Sequence, residues 1–407
     1  MSDFGMGSTF DPLADAIAGS VEAVDLRGFL VEVGVPDRDV DQAAASGTLE
    51  RQELERIAEM DAPRYALEDI DAMSDVDRDR LRAYWRALGF PDPPPGEKVF
   101  SDADLDDIHR GSLEVLERTG VFVESDEAID VMADGGCRVD RGTRTVRIPP
   151  YIVEDAVRSA PSTVRLAGRV PENDIVLEGG RVGFTNFSAG IMVRDPRTDE
   201  YRTSTVQDVA DLARMTDYLD AIDTYEHAVE GRDAPETTLA VRDAAVGLKN
   251  TTKCVGTGAM STYDVDAIVR MGAAVAGGED RLRGRPLVYF CECPVSPLKI
   301  TRDAAEVIMA AARHGIPNNI ISMAMSGASS PVTLAGTLVT HNAEVLASLT
   351  LAQLTERGAP TIYGSSTTAM DLRYASASVG SPELAMISAG VAQLAQRYLL
   401  PSFVAGL

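Results

Sequence analysis

The sequence predicts an α/β protein whose larger part, residues 181–407, is a (β/α)8 or TIM barrel that is incomplete, with seven strands present, preceded by an N-terminal helical and α+β extension. From residue 181 onward, apolar strand-like runs alternate with helical runs at about 32 residues per unit, the spacing of a TIM barrel. The strands are nearly continuous apolar runs, which is typical of a parallel sheet covered by helices. The Gly-rich phosphate loops of doubly wound nucleotide-binding sheets do not occur in the sequence, which favours the barrel.

Charge and cysteine content limit the function. The 407 residues include 63 Asp and Glu against 38 Lys and Arg, a formal net charge of -25. Such a charge repels phosphate backbones and anionic lipids, so we expect neither nucleic-acid nor membrane binding and predict small-molecule or protein partners. Four cysteines and an N-terminus without a secretory signal predict a reduced, cytoplasmic protein.

Residues 1–95 form the first predicted domain, an acidic helical extension. The proline-rich segment GFPDPPPGEK (89–98) stops any helix and indicates a stiff linker. The extension is either a docking or solubilising module or a solvated addition to the fold, and the second interpretation is favoured because most charged surface is only surface.

Residues 96–180 are predicted to form an α+β subdomain. A helix over 101–119, capped by Ser101, carries apolar residues at helical spacing. Short strands are expected at 137–139 and 145–148, a helix that starts at Pro149-Pro150, and a strand pair at 164–166 and 175–177.

The third predicted domain, 181–407, supplies the barrel elements in order. The predicted strands are 183–193, 222–229, 253–260, 286–293, 319–325, 360–365 and 401–407, and the predicted helices are 204–219, 236–249, 262–276, 301–314, 331–357 and 381–399. Capping residues support three helix starts: Ser204 with Gln207, Thr301, and Ser381 followed by Pro382.

An uncharged stretch, 314–343, raises the question of a membrane span. Asparagines, glycine, proline and serines interrupt it, so it does not supply about 20 continuous apolar residues. We interpret it as buried core. With seven strands, the first and last would expose unpaired edges, so an eighth strand is expected downstream.

Three segments carry a family resemblance: SPLKITRDAAEVIMAAARHGIP (296–317), SMAMSGASSPVTLAGTLVTHNAEVLASLTLAQLTERGAPTIYGSS (322–366) and MDLRYASASVGSPELAMISAGVAQLAQRYLLPSFVAG (370–406). They resemble the trimethylamine methyltransferase family of corrinoid-dependent TIM-barrel enzymes. The resemblance covers roughly residues 100–407, and residues 1–95 lie outside it.

The resemblance implies an amine:corrinoid methyltransferase. Its methyl acceptor is the Co(I) of a corrinoid (cobalamin) carried by a separate cognate corrinoid protein, so we expect no directly bound cofactor. The implied substrate is a small methylated amine, trimethylamine by preference, and homo-oligomers are a further expectation by analogy with other barrel enzymes.

The resemblance also implies a pyrrolysine, encoded by an amber codon, near the end of the seventh strand in the trimethylamine branch. We therefore expect this sequence to be an N-terminal fragment read up to that codon, and expect the fragment to be inactive in pyrrolysine-dependent transfer. A sense codon after Leu407 would contradict this expectation.

Site candidates follow from position, because TIM-barrel sites lie at the carboxyl ends of the strands. Carboxylates and aromatic faces attract an ammonium ion. Glu226 and Tyr363 are the predicted catalytic residues; an arginine pair at Glu226 is an equally weighted structural alternative. The predicted substrate-binding residues are Phe187, His227, Glu292, Met325 and Ser365, with Asn186, Ser188, Ser296 and Ser366 as neighbours by position. His227 is also read as a structural histidine.

Two further features, a pair of cysteines and a glutamate in a long helix, have alternative interpretations. Cys291 and Cys293 share one face of a strand, but no further ligand pattern completes a tetrahedral zinc site, so buried thiols are favoured and no metal is predicted. Glu344 lies inside a long predicted helix, where it either caps a loop, lines the mouth or forms a salt bridge.

Two alternatives to trimethylamine transfer stay open. One is a quaternary-amine enzyme of the glycine betaine type, which lacks pyrrolysine. The other is a barrel without catalysis that binds a corrinoid protein.

Overall fold

The computed structural model describes Phe100 and residues 102–405. The predicted extension over residues 1–95 and the predicted cap Ser101 lie outside the described residues. No helix among the described residues is long and apolar enough to cross a membrane.

The first described part, up to residue 177, has three helices and five strands. The helices are α1 (Asp102–Glu114, continued by a wider turn over Val115–Thr119), α2 (Asp126–Asp134) and α3 (Pro150–Ser159), and the strands are β1 (Val121–Val123), β2 (Arg138–Asp140), β3 (Thr145–Arg147), β4 (Val164–Leu166) and β5 (Ile175–Leu177). The predicted helices and strand pairs are confirmed here. The sequence analysis missed β1 and α2, which are short.

The remaining elements run from residue 192 to residue 404. The strands are β6 (Met192–Arg194), β7 (Tyr201–Thr203), β8 (Tyr225–Glu226), β9 (Val255–Thr257), β10 (Val288–Glu292), β11 (Lys299–Ile300), β12 (Asn318–Ser322), β13 (Met325–Ser326), β14 (Thr361–Ser365), β15 (Thr368–Asp371), β16 (Ser376–Ala377) and β17 (Ser402–Val404). The helices are α4 (Val206–Tyr218), α5 (Leu239–Asn250), α6 (Thr262–Ala276), α7 (Glu279–Gly284), α8 (Arg302–His314), α9 (Leu334–Thr355) and α10 (Pro382–Arg397).

A six-stranded parallel sheet organises this part. Its strand order is β17-β14-β12-β10-β9-β8, so neighbours in the sheet are successive strands of the βα alternation. The sheet is curled like a half-barrel. Each helix packs against the next, from α4 to α5, α6, α8, α9 and α10, which places them in one layer on one side of the sheet. A doubly wound sheet would divide its helices between two faces.

The predicted first strand, 183–193, is not a regular strand. It runs beside the second strand only through isolated parallel bridges, Thr185 to Thr224 and Gly190 to Val229. Its end instead forms β6, which pairs with β7 as an antiparallel hairpin. Six of the seven predicted strands therefore form the sheet. The side chains of Phe184 and Phe187 in this segment are exposed. The segment therefore lacks the buried apolar contacts that would hold a strand against the sheet.

The uncharged stretch of sequence, 314–343, contains the buried strand β12 and the first ten residues of helix α9. Most of the residues of α9 are buried, because α1, α3, α8 and α10 pack around it and β12 lies beneath it. A helix that is apolar on all sides is buried in this way. The apolar residues of α1 to α3 and of α9 and α10 form one continuous core.

The β4–β5 hairpin covers the side of the sheet that faces away from the helices, which we call the inner face. Val164 and Leu166 pack with Tyr289 and Ile362 of the sheet. The Ala167 amide donates to the Pro286 carbonyl at 2.8 Å, before β10 begins. The hairpin therefore closes the amino-terminal end of the inner face and leaves the carboxyl end for a site.

Helix caps confirm two predictions and correct one. Thr301 and Ser381 accept backbone N–H groups at the starts of α8 and α10. Helix α4 is capped by Thr205, which forms a reciprocal capping box with Asp208. Ser204, the predicted cap, instead donates its hydroxyl to the Glu230 carbonyl at 2.6 Å.

Candidate functional site

Polar side chains lie together on the inner face, midway along the strands. The Tyr289 hydroxyl donates to one carboxylate oxygen of Glu226, and the Cys291 thiol donates to the other at 3.1 Å. Asn319 donates its amide to the Cys291 sulfur at 3.7 Å. These side chains converge because Glu226, Tyr289, Cys291 and Asn319 occupy alternate positions on neighbouring strands, and alternate residues share a face. We call this set the inner polar cluster.

The Glu226 carboxylate is 2% exposed and has only neutral donors around it. Within residues 102–405 no lysine or arginine forms an ion pair with it, so the structural alternative of an arginine partner is not what the structure shows. Burial raises the pKa of Glu226, and burial also raises the pKa values of Tyr289 and Cys291, which stay protonated donors. A buried carboxyl group with neutral partners can either accept a cation or give a proton to a base.

Two glycines make room for this cluster. A Cβ on Gly256 would overlap the Glu226 carboxylate and the Tyr289 ring, and a Cβ on Gly364 would overlap the Asn319 amide oxygen. That oxygen is buried and has no hydrogen-bond partner among the described residues. The inner face thus carries both an unpaired acceptor and a carboxylate without a counter-ion.

We expect Gly256→Ala to disrupt the cluster. The added methyl group leaves no room for Glu226 and Tyr289 to meet, so the free energy of unfolding should fall by about 1–3 kcal/mol. Chemical denaturation measures this change. Gly258→Ala is the matched control, because its Cβ would meet nothing within 4 Å. Equal losses in the two variants would contradict the packing described here.

A row of side chains on one face of β10 and its extension connects the inner polar cluster with a cleft at the carboxyl ends of the strands. Tyr289, Cys291 and Cys293 alternate along one strand and its extension, so each lies about 7 Å beyond the last. Cys293 lines a cleft of about 440 Å³. We call it the mouth cleft; its lining residues are Cys293, Pro294, Val295, Ser296, Met323, Met325, Ala328, Ser329 and Met370.

The cleft is apolar and sulfur-rich, and none of its nine lining residues is charged. One wall is the segment after β10, and the other is the segment after β12 with the small sheet β13-β15-β16. Methionine side chains adapt to the shape of apolar ligands. The cleft therefore suits methyl groups better than carboxylates or phosphates.

Exposed apolar side chains surround this end of the sheet. They occur in the segments that follow β9, β10, β12 and β14, and are Met260, Tyr263, Val295, Met323, Val332, Leu372, Tyr374 and Val379. We call them the mouth rim. A group of exposed apolar residues of this size is typical of a surface that another molecule covers.

The two predicted catalytic residues do not lie together. Tyr363 is fully buried and donates its hydroxyl to the Asn342 side chain of α9 at 2.7 Å. Its ring packs among the helices, on the opposite side of the sheet from Glu226, because β14 places Ile362 and Gly364 on the inner face instead. In this position Tyr363 cannot contact a substrate that binds beside Glu226. Burial also raises the pKa of Tyr363.

His227 also faces away from the cluster, since it follows Glu226 directly. Its Nε2 lies 3.2 Å from the Asp243 carboxylate, which also accepts from the Gly231 amide at 2.8 Å. The structural interpretation of His227 is therefore the one that its contacts support.

The other predicted residues are dispersed. Phe187 is 81% exposed, and Ser365 is buried with its hydroxyl accepting the Thr367 amide at 3.1 Å. Met325 lines the mouth cleft. Asn186, a neighbour by position, donates to the Glu226 carbonyl at 2.7 Å and accepts from the Glu226 amide at 3.0 Å, so it holds the backbone that carries the carboxylate.

Sequence reasoning missed Tyr289 and Asn319 and read Cys291 only as a buried thiol or zinc ligand. Tyr289 lies inside an apolar run and looks like core, so only the alternation from Cys293 back along the strand could have placed it on the same face. Among residues 102–405, no group of three or more His, Cys, Asp or Glu side chains is arranged to hold a metal ion.

Glu292 points away from the inner face and is buried, with a 3.3 Å hydrogen bond from the Ala259 amide. Burial raises its pKa well above the ordinary value. A group whose pKa is raised on folding stabilises the fold at low pH, and that contribution is lost as the pH rises through the folded-state pKa.

We therefore expect Glu292→Gln to raise the melting temperature relative to the unsubstituted protein at pH 8, with the difference shrinking toward pH 5. The amide cannot ionise, so it avoids the cost of a buried charge. Melting curves across this range measure the effect, and exposed Glu279→Gln is the control. A difference that grows as the pH falls would show that the sign is wrong.

The sequence profile of the family described as trimethylamine methyltransferase (MTTB) matches residues 75–407. The chain belongs to the trimethylamine methyltransferase family. The members of this family are methyltransferases, and the resemblance in the three quoted segments is confirmed. Its expected lower bound is corrected, because residues 75–95 also match the family.

Curated members of this family are similar over most of the chain. Trimethylamine methyltransferase MttB of Desulfitobacterium hafniense is 54% identical over 307 residues, covering 75% of this chain and 62% of that protein. MttB of Methanosarcina thermophila is 44% identical over 318 residues, covering 76% and 65%. A glycine betaine methyltransferase of D. hafniense is 30% identical over 309 residues, covering 76% and 64%. The chain thus spans less than two thirds of the length of these relatives.

Proposed function

We propose that this protein transfers a methyl group from trimethylamine to the corrinoid of a cognate protein, and that Glu226 holds the amine. The single observation that carries the proposal is the buried Glu226 carboxylate, which has two neutral donors and no cationic partner among the described residues. The higher identity to proteins named for trimethylamine than to the one named for glycine betaine supports the choice of amine.

The chemistry gives Glu226 a defined task. When a C–N bond of trimethylamine breaks, the nitrogen must carry positive charge, because neutral dimethylamine is then the leaving group. A carboxyl group with a raised pKa can give its proton to the amine and then hold the ammonium as a carboxylate. Burial strengthens that attraction, since no water competes for the charge.

The mouth cleft favours trimethylamine over glycine betaine. Glycine betaine carries a carboxylate, which needs a cation or several hydrogen-bond donors when it leaves water. The lining residues offer thiol, thioether and aliphatic groups, with hydroxyls only at Ser296 and Ser329. The methyl groups of trimethylamine match this lining without an unpaired charge. We therefore take the cleft as the entry to Glu226, which lies deeper on the inner face and is not one of the lining residues.

The mouth rim supports docking of a protein partner over the cleft. Its exposed apolar side chains would be covered by such a partner, which brings the methyl acceptor to the substrate. The acceptor would be the Co(I) corrinoid of that partner, a strong nucleophile that is a substrate of this protein. The full (β/α)8 barrel is part of the same proposal, supported by the parallel strand order and the one-sided helix layer.

The test is methyl transfer by the product of the complete gene, including read-through of any amber codon. The protein is mixed with a corrinoid protein of a methylamine methyltransferase system, reduced to Co(I), and the corrinoid spectrum is followed after addition of trimethylamine, dimethylamine or glycine betaine. We expect methylation with trimethylamine at a rate at least tenfold above that with glycine betaine. The reverse order would support the glycine betaine alternative, and inactivity with every amine would support a barrel that only binds its partner.

A further inference from the structure

A second buried carboxylate lies behind the mouth cleft. Glu344, in the middle of α9, is 2% exposed. It accepts hydrogen bonds from the Ser296 hydroxyl at 2.7 Å, the Leu298 amide at 2.9 Å and the Ser322 hydroxyl at 2.6 Å. Within the part of the chain that the structure describes, no lysine or arginine forms an ion pair with it. Of the alternatives weighed for this residue, loop capping is the one that its contacts support.

These three donors come from both walls of the cleft. Ser296 lines the cleft itself, in the wall after β10. Ser322 is the last residue of β12, directly before the cleft residue Met323 in the other wall. One carboxylate therefore joins the two walls.

The loop that Glu344 holds contains a strained residue. Leu298 has a φ of 57°, a left-handed conformation that costs a residue with a Cβ about 1 kcal/mol or more. On either side of it, Val295 and Lys299 exchange backbone hydrogen bonds of 2.8 and 3.0 Å, which makes the turn tight. The Leu298 amide points at the carboxylate, so Glu344 fixes the strained residue directly.

We propose that Glu344 is a positioning residue that sets the width of the mouth cleft by holding Ser296, Leu298 and Ser322 together. It lies behind the cleft and is not one of its lining residues. The holding of the two walls is independent of the proposed methyl transfer, whereas its effect on turnover rests on that proposed function.

Cys293 reports on the cleft without any need for activity. It is the exposed cysteine at the lining of the cleft, while Cys254 is buried away from it. Although part of the residue is exposed, the loss of water around its thiol raises the pKa of Cys293 to about 12, so alkylation is slow. Walls that move apart would let water reach the thiol and speed its alkylation. The rate at each cysteine is measured by N-ethylmaleimide labelling and peptide mass spectrometry.

We expect Glu344→Gln to speed Cys293 labelling at least tenfold and to leave Cys254 labelling unchanged. A tenfold change corresponds to the free energy of about one buried hydrogen bond. Ser322→Ala, which removes one donor at small structural cost, should speed Cys293 labelling about threefold. An unchanged Cys293 rate in both variants would overturn the proposal, as would equal acceleration at Cys254, which reports general unfolding.

A kinetic arm separates positioning from simple loss of stability. In the methyl-transfer assay Glu344→Gln should raise KM for the amine more than it lowers kcat, because a misplaced wall weakens binding. The same KM and kcat as the unsubstituted protein would overturn the positioning role. If the proposed function is wrong, the unsubstituted protein itself transfers no methyl group. The labelling rates can still be measured in that case, so the positioning role of Glu344 is tested separately.

Discussion

Glu226→Gln should reduce trimethylamine-dependent methyl transfer by at least about 100-fold while the protein stays folded. The amide has nearly the shape of the carboxyl group and can still accept a hydrogen bond from Tyr289. It can neither give a proton to the amine nor hold the ammonium as a carboxylate, and loss of a positioned acid or base costs on the order of 100-fold or more. Initial rates of corrinoid methylation at saturating amine measure the effect.

Two companion variants define this result. Tyr289→Phe removes one donor to Glu226 and leaves the charge, so its rate should fall less than that of Glu226→Gln. Glu279→Gln removes the same charge from an exposed position in α7 and should keep the full rate. A Glu226→Gln rate within threefold of the unsubstituted protein would show that the inner polar cluster is structural.

Lys253→Met should lower the free energy of unfolding by about 3–5 kcal/mol. The Lys253 ammonium is buried and donates to the carbonyls of Thr216 and Leu219 at 2.7 Å each, and also to that of Ile222. Methionine has a similar length and no donor, so the carbonyl groups of Thr216 and Ile222 lose the ammonium, while that of Leu219 keeps the Ile222 amide at 3.1 Å. Each group left unsatisfied costs about 1–3 kcal/mol. Urea denaturation measures the change.

Lys249→Met is the matched control, because Lys249 is exposed on α5 and its loss should change the free energy of unfolding by less than about 0.5 kcal/mol. Similar losses at both positions would mean that the three carbonyl groups are satisfied in another way. The comparison tests whether the turn between α4 and β8, which leads to Glu226, depends on this one side chain.

The alternation of apolar runs was enough to predict six strands of the sheet and the helices between them. Periodicity identified α6 over 262–276 with both boundaries, since Ser261 caps the helix and Gly277 ends it in a left-handed conformation. It failed at 183–193, where apolar residues such as Phe184 and Phe187 are exposed. Periodicity reports which residues are apolar, and burial also depends on what packs against them.

The site was only partly predictable for a similar reason. Glu226 was predicted because a carboxylate follows an apolar run at the carboxyl end of a strand, and the structure places it in the inner polar cluster, while its catalytic role stays a prediction. Tyr363 was placed with it wrongly, because the face on which a strand residue lies depends on the register between strands, and a shift of one residue reverses it. Glu344 illustrates the same limit, since no spacing in the sequence relates it to Ser296 or Ser322.

Titration of trimethylammonium into the complete protein, followed by calorimetry, tests most directly whether the Glu226 carboxylate holds the amine. We expect saturable binding to the unsubstituted protein and at least tenfold weaker binding to Glu226→Gln, a difference of about 1.4 kcal/mol. Equal dissociation constants for the two proteins would contradict the account.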